Sequence, residues 1–243
     1  MEPEYSKTIR LGYECFDTYD RVFPSKYLSL FQDVAGEHAE LLGCGYSALK
    51  SQGMMWIVAR SRLDVIEDPR ENEPLILTTR VKRPLGLIFE REYEVRRASD
   101  SSLLAAGLSS WCISNIVTRR LVRPRDIPYP DSFPESFIYS TSLKAIPDFE
   151  TEGDPVFSRR VNFTDLDHNR HMNNCRYADI LEDAVSTKEN QRFKSLEIDF
   201  ERECVEGDTL SVFLSEKNEK GERFALAERQ DGELSFKARF VLD

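Results

Sequence analysis

The sequence predicts an α+β protein of two tandem units, each a single helix beside a run of antiparallel strands. Three observations carry this. An apolar stripe at helical spacing occurs twice, at 31–42 and 177–185, and each stripe is followed by four strand-like segments. Six of the eleven prolines crowd into 124–155, where no period of 2 or 3.6 persists, so this window separates the two runs. Within the first run, Leu87, Phe89, Tyr93 and Val95 alternate with Glu90, Glu92, Glu94 and Arg96, a period that a helix cannot use.

In chain order, Phe31, Val34, Ala35, His38, Leu41 and Leu42 form one helical face, with Ser25 as N-cap and Gly43 as stop. His38 lies on that apolar stripe and reads as a structural histidine. Strands are expected at Met54–Ile66, Pro74–Lys82, Leu87–Arg97 and Leu103–Val117. After the proline-rich window come a short strand, Phe157–Phe163, and a helix from Asn174 to Val185 carrying Tyr177, Ile180, Leu181, Ala184 and Val185 on one face. Strands follow at Ser195–Cys204, Thr209–Glu216, Arg223–Arg229 and Leu234–Leu242. The expected division is 1–125, a linker over 126–155, and 156–243. A twisted sheet curling around each helix buries its stripe, and two such sheets joined edge to edge would lose two exposed edges. A β-barrel with appended helices satisfies the same pattern.

At 243 residues with 40% hydrophobic content the chain can bury a core that needs no metal or disulfide to hold it. Its longest apolar run, Met54 to Ala59, is far short of the roughly 20 residues that span a bilayer. A formal charge of -10 repels nucleic acid over most of the surface. Five cysteines without a close pair fit reduced thiols, and the opening residues resemble neither a secretory signal nor a transit peptide, so a cytoplasmic protein is expected. Against the acidic background Arg119, Arg120, Arg123 and Arg125 form a local basic segment. It suits an acidic partner, or consists of arginines scattered on solvated strand ends.

The densest polar cluster runs from Asp165 through Leu166, Asp167, His168, Asn169, Arg170, His171, Met172 and Asn173 to Asn174. Turn chemistry and helix capping account for the asparagines near the second helix but not for Asp167 and His171. Asp165, Asp167 and Asn169 match the first ligands of a calcium loop. The required glycine is replaced by Arg170 and the closing glutamate by Arg176. His168, His171 and Asp167 lack the spacing and outlying ligands of a zinc site. No metal and no cofactor are expected.

This string, with Tyr177, resembles the acyl-acyl carrier protein (acyl-ACP) thioesterase signature D-L-D-x-N-x-H-x-N-N-x-x-Y. Arg202, Glu203 and Cys204 resemble the family's R-E-C element. Ser109, Ser110, Trp111, Asn115, Thr118, Arg119, Arg120 and Leu121 resemble its S-x-W-x-x-x-N-x-x-T-R-R-L stretch, and Trp56-Ile57-Val58 another strand start. The resemblance implies a double hotdog fold that hydrolyses the thioester of a fatty acyl chain on acyl carrier protein. The first half would build the acyl pocket, near Trp56, and the second the chemistry. The partner it implies is acyl carrier protein. A homodimer is left open, and the net charge and short apolar runs speak against nucleic acid and membrane.

Thioester hydrolysis needs an oxygen nucleophile, a base and donors for an oxyanion. The resemblance implies Asp167, Asn169, His171, Glu203 and Cys204 as site residues. Asp167 is expected as the reactive carboxylate, activating water or attacking the carbonyl directly, with Glu203 positioning or deprotonating water. Asn169 and His171 orient Asp167 or polarise the carbonyl, helped by backbone N–H groups at the helix start. A papain-like use of Cys204 with His171 and Asn169 is the competing assignment. Strand alternation is expected to put Cys204 with Leu196, Ile198 and Phe200, and Glu203 with Glu197, Asp199 and Glu201, unless a bulge intervenes. An acyl-CoA thioesterase or a non-catalytic acyl-binding module would use the same fold.

Overall fold

Helix α1 spans Pro24–Leu41. Proline suits the first helical turn, where its missing N–H is not needed; Ser25 consequently lies buried inside that turn rather than capping it. The helix stops as anticipated at Gly43, whose φ of 74° permits the left-handed turn in which the Cys44 N–H donates to the Ala39 carbonyl at 3.0 Å. Tyr27, Phe31, Val34, Ala35 and Ala39 form its buried face. Phe31 stacks on Tyr93 at 4.6 Å between ring centroids and lies over Gly107, where a Cβ would stand 2.3 Å from the ring. Glycine is needed there for close approach of helix and sheet.

In this computed structural model residues 1–123, 127–151 and 153–243 are described. The expectation at Arg125 lies outside them. Met1–Val22 with Tyr27–Leu143 form one compact unit, and Phe23–Lys26 with Lys144–Asp243 the other. In the first, strands β1 (Glu4–Ile9), β2 (Met54–Val65), β3 (Leu75–Val81), β4 (Phe89–Arg97) and β5 (Leu103–Asn115) lie in the order β1-β3-β4-β5-β2. A short helix α2, Tyr46–Ser51, precedes β2. In the second, β6 (Phe157–Arg160) and α3 (Arg176–Val185) precede β7 (Phe193–Phe200), β8 (Thr209–Leu214), β9 (Glu222–Arg229) and β10 (Leu234–Leu242), in the order β7-β10-β9-β8-β6. Strand for strand, the two orders are the same, so each unit repeats one topology: a helix against an antiparallel sheet. This is the expected α+β, double hotdog architecture.

The sequence pattern missed β1, whose side chains are alternately exposed and half-buried, and α2, whose six residues are too short to establish a period. In α3, Tyr177 packs edge-on against Phe200 and Phe236. Among the described residues no helix is long and apolar enough to cross a membrane.

Both faces of β4 are buried, including Glu90, Glu92 and Glu94. The cover is the early part of the proline-rich window. Tyr129 packs edge-on to Phe89, and the Tyr139 N–H donates to Glu92 at 2.8 Å. The Leu143 N–H donates to Glu90 at 3.1 Å. Burial pushes the Glu92 carboxyl above the usual carboxylate range. In the second unit the Ile146 N–H donates to buried Asp199 at 2.7 Å, and Lys237 donates to the Ile146 carbonyl at 3.1 Å.

Candidate active site

The ten-residue polar cluster folds into one closed loop ahead of α3. Phe163–Asp165 make a 3-10 turn, and Leu166 and Met172 pair in an isolated antiparallel bridge. Inside the bridge the Asp167 N–H donates to the His171 carbonyl at 2.9 Å and the Arg170 N–H to the Asp167 carbonyl at 3.0 Å. Arg170 takes a positive φ of 67° to close the turn. Asp167 and His171 therefore stand at the neck of the loop, and the Asn169 N–H donates to Asp167 Oδ1 at 2.7 Å. Asn169 thus reaches Asp167 through its main chain.

Buried Asp165 is the anchor of this loop. Its Oδ1 accepts from Arg159 and its Oδ2 from the Asn162 N–H at 2.8 Å. The helix entry differs from the expected capping. Asn173 Oδ1 accepts from the Cys175 N–H at 2.9 Å, and Cys175, rather than Asn173 or Asn174, is the N-cap of α3. The asparagine makes a side-chain turn one step before the helix.

The second motif arrives from the end of β7. The strand stops at Phe200, short of the expected Cys204, because the Glu201 and Arg202 N–H groups both donate to the Ser235 carbonyl, at 2.9 and 3.0 Å. Two residues facing one is a bulge, and simple alternation ends there. Beyond it the Met172 N–H donates to the Cys204 carbonyl at 2.8 Å, which ties this segment to the loop. Glu203 then points outward, half-exposed, and its Oε2 lies 3.1 Å from His171 Nδ1. Glu197 and Asp199, expected on the face of Glu203, are instead buried, with Glu197 paired to Arg239.

Cys204 turns the other way and is fully buried. Its Sγ lies 3.0 Å from Ser235 Oγ, Tyr177 adds a side-chain hydrogen bond, and burial raises the thiol above its ordinary range. Burial likewise raises the Tyr177 phenol. The structure therefore brings His171 to Glu203 and leaves the Cys204 thiol in a hydroxyl cluster. Ser235 and Arg159 were invisible to motif reasoning: Ser235 meets Cys204 from 31 residues away, and Arg159 lies on the short strand ahead of the motif. Tyr177, by contrast, stood in the signature. Among the described residues no group of three His, Cys, Asp or Glu side chains is placed to hold a metal ion.

This arrangement offers an imidazole oriented by a carboxylate, beside a second carboxylate on a closed loop, which suits acid–base or nucleophilic attack on an acyl group. Comparison with known proteins points the same way. The family model for the acyl-ACP thioesterase N-terminal domain matches residues 3–127, and that for the C-terminal domain matches 151–241. A palmitoyl-acyl carrier protein thioesterase of Arabidopsis thaliana is 31% identical over 189 residues, covering 71% of this chain and 45% of the relative. An acyl-[acyl-carrier-protein] hydrolase of Cuphea viscosissima is 24% identical over 217 residues, covering 81% of this chain and 51% of the relative. The chain thus spans about half the length of the curated relatives it matches. Among solved structures, an acyl-ACP thioesterase from Bacteroides thetaiotaomicron superposes with a TM-score of 0.84 at 20% identity, over 99% of this chain and 98% of that one. The 12:0-ACP thioesterase from Umbellularia californica gives 0.82 at 18% identity, over 100% and 98%. At these identities the superpositions speak for the fold.

Proposed function

The chain belongs to the acyl-ACP thioesterase family, and from that premise we propose that it hydrolyses fatty acyl-acyl carrier protein to free fatty acid and the carrier thiol. The observation that carries this reading is the His171–Glu203 pair at 3.1 Å beside the Asp167 loop. Asp167, held in orientation by the Asn169 N–H, attacks the thioester carbonyl, and the C–S bond breaks to leave an acyl–carboxylate anhydride. His171 delivers a proton to the departing thiolate. Glu203 orients His171 and takes a proton from the water that opens the anhydride, so that the water oxygen ends in the fatty acid, Asp167 is freed and the proton returns to His171. Asn169 supports the geometry of Asp167, and Cys204 supports the segment that carries Glu203.

The first unit holds the acyl chain in this proposal, and the second, after the linker, performs the chemistry. Ala39, Leu42, Leu49, Met54, Phe89 and Ile113, with Trp56 and Trp111 against them, supply apolar walls. Carrier recognition is assigned to the basic end of that unit. No Asp or Glu occurs from Leu41 to Leu63 or from Leu103 to Arg125, on a chain with 43 of them. The register Met54↔Asn115 sets these two acid-free stretches side by side. The deciding experiment is fatty acid release from acyl chains of graded length on carrier protein and on CoA. Faster release from the carrier protein supports the proposal, preference for CoA replaces the carrier, and tight acyl binding without release makes the protein a binding module.

A further inference from the structure

The loop that carries Asp167 has a second copy in the first unit. Tyr13–Cys15 form a 3-10 turn as Phe163–Asp165 do, and Phe16 pairs with Val22 in an isolated bridge as Leu166 pairs with Met172. The Asp17 N–H donates to the Arg21 carbonyl at 2.8 Å, matching Asp167 and His171 at 2.9 Å. The Asp20 N–H donates to the Asp17 carbonyl at 3.2 Å, matching Arg170 and Asp167 at 3.0 Å. Asp20 has φ 60° where Arg170 has 67°. The Tyr19 N–H donates to Asp17 Oδ1 at 2.8 Å, as the Asn169 N–H does to Asp167 at 2.7 Å. Each loop leads into the long helix of its unit. The correspondence places Asp17 at the position of Asp167, Tyr19 at that of Asn169 and Arg21 at that of His171.

The chemistry differs at one place. Arg21 Nε donates to Asp17 Oδ2 at 2.8 Å and Nη2 lies 2.6 Å from the same oxygen, while the Arg21 N–H donates to Oδ1 at 3.0 Å. Both carboxylate oxygens are thus occupied. The guanidinium also lies over the Tyr19 ring, 4.7 Å from its centroid. Both side chains are nearly buried, 13% and 11% exposed, whereas Glu203 beside His171 is 50% exposed. A guanidinium does not give up its proton in a protein, so it cannot shuttle one as an imidazole does. The Val22 N–H, next in the chain, donates to Asp68 Oδ1 at 3.1 Å, in the loop after β2. The Met172 N–H meets the segment after β7 at the corresponding place, there through the Cys204 main-chain carbonyl at 2.8 Å.

We propose that the Asp17 loop is a closed copy of the reactive loop, in which Arg21 at the place of His171 captures the carboxylate. The loop fixes the entry of α1 and takes no part in hydrolysis, so the chain has one chemical centre although its architecture is built twice. The contrast with Asp167 rests on the proposed function, but the capture itself does not.

The test compares Asp17→Asn, Arg21→Met, their double variant and Asp167→Asn, in the full chain. It measures hydrolysis of an acyl-carrier thioester and the thermal midpoint. Each Asp17 and Arg21 single variant is expected to keep kcat within about threefold and to lower the midpoint by about 2–6 °C. The double variant should fall no further than the worse single one, because the two side chains act as a pair. A loss of kcat above about tenfold in Asp17→Asn at an unchanged midpoint would place Asp17 in the chemistry and overturn the proposal. Additive losses of midpoint in the double variant would overturn the capture. Should Asp167→Asn remain active, the proposed role of Asp167 fails, while the midpoints still decide the Asp17–Arg21 pair.

Discussion

His171 Nδ1 stands 3.1 Å from Glu203 Oε2, and one residue further along each segment the Met172 N–H binds the Cys204 carbonyl at 2.8 Å. The backbone contact sets the spacing of the side-chain pair, so the imidazole is aimed by main-chain geometry as well as by its carboxylate. Glu203→Gln and His171→Ala should each lower kcat on an acyl-carrier thioester by about 10²–10⁴. The double variant should lose little more than either single one, since the two act as a unit. Cys204→Ala should keep appreciable activity and lose thermal stability, because the thiol faces Ser235 and not His171. Mass spectrometry of a trapped reaction checks this ranking, and an acyl adduct on Cys204 would reverse it.

Asp165 and Asp167 lie two residues apart and differ in setting: Asp165 is buried against Arg159, and Asp167 accepts from the Asn169 N–H at the loop's neck. Asp165→Asn uncouples the buried carboxylate from Arg159 and should cost about 1–3 kcal/mol of stability, with activity falling only as far as the loop loosens. Asp167→Asn should leave the urea unfolding midpoint nearly unchanged and abolish fatty acid release. Paired denaturation and rate measurements separate the two, and unimpaired turnover by Asp167→Asn removes that residue from the mechanism.

His38 gives the first unit an acid-sensitive point. Burial, with the Arg91 guanidinium 2.8 Å from Nδ1, lowers its affinity for a proton, while Nε2 meets the Glu2 carbonyl at 3.0 Å and the ring stacks on Tyr5. The unfolded chain binds the proton near the ordinary value of about 6.5 and the folded chain only at lower pH. Below that value the unfolded state holds more protons, so this contribution is intact above about pH 6.5 and is lost as pH falls toward the folded value. Urea midpoints at pH 7.5 and 5.5 should differ less in His38→Gln than in the native protein.

Charge reversal at Arg120 and Arg123 tests the basic end of the first unit. Both are exposed, and they follow Asn115, whose side chain accepts from the Val117 and Thr118 N–H groups at 3.0 and 2.8 Å. Arg120→Glu with Arg123→Glu should raise KM for acyl carrier protein, more at low salt than at high, and spare a small soluble thioester. Equal losses on both substrates, or a lowered melting point, would make these arginines structural.

Much of the architecture was legible because burial leaves a period. The stripes ending at Leu42 and Val185 follow from one buried face per helix, and the alternation of β4 and β10 from an apolar face turned to the helix, although the polar face of each strand is largely covered as well. The loop from Asp165 to Asn174 was legible as chemistry because its side chains exceed what turns require. Bulged geometry at Glu201 and Arg202 was not legible, since it depends on a carbonyl contributed by Ser235 from another strand. The Asp17 copy also escaped notice. Its sequence shares only the aspartate at that position, while the repeat lives in hydrogen bonds and backbone angles. Cys204 was expected on the apolar side and is buried, but it lies beyond the end of β7, where alternation no longer applies.

The carboxylates that clasp the stretch before Leu143 change how the molecule can be divided. Composition invites a cut near residue 125, yet such a cut would remove Tyr139 and Leu143 from Glu92 and Glu90 and strip an acid-lined sheet face of its main-chain donors. Water would enter beside three glutamates on one strand, leaving Arg80, Lys82 and Arg96 as their remaining partners. A first unit expressed alone should therefore extend to at least Leu143 to fold, and a protease offered the whole chain should spare the Tyr139–Leu143 stretch despite its loop-like sequence.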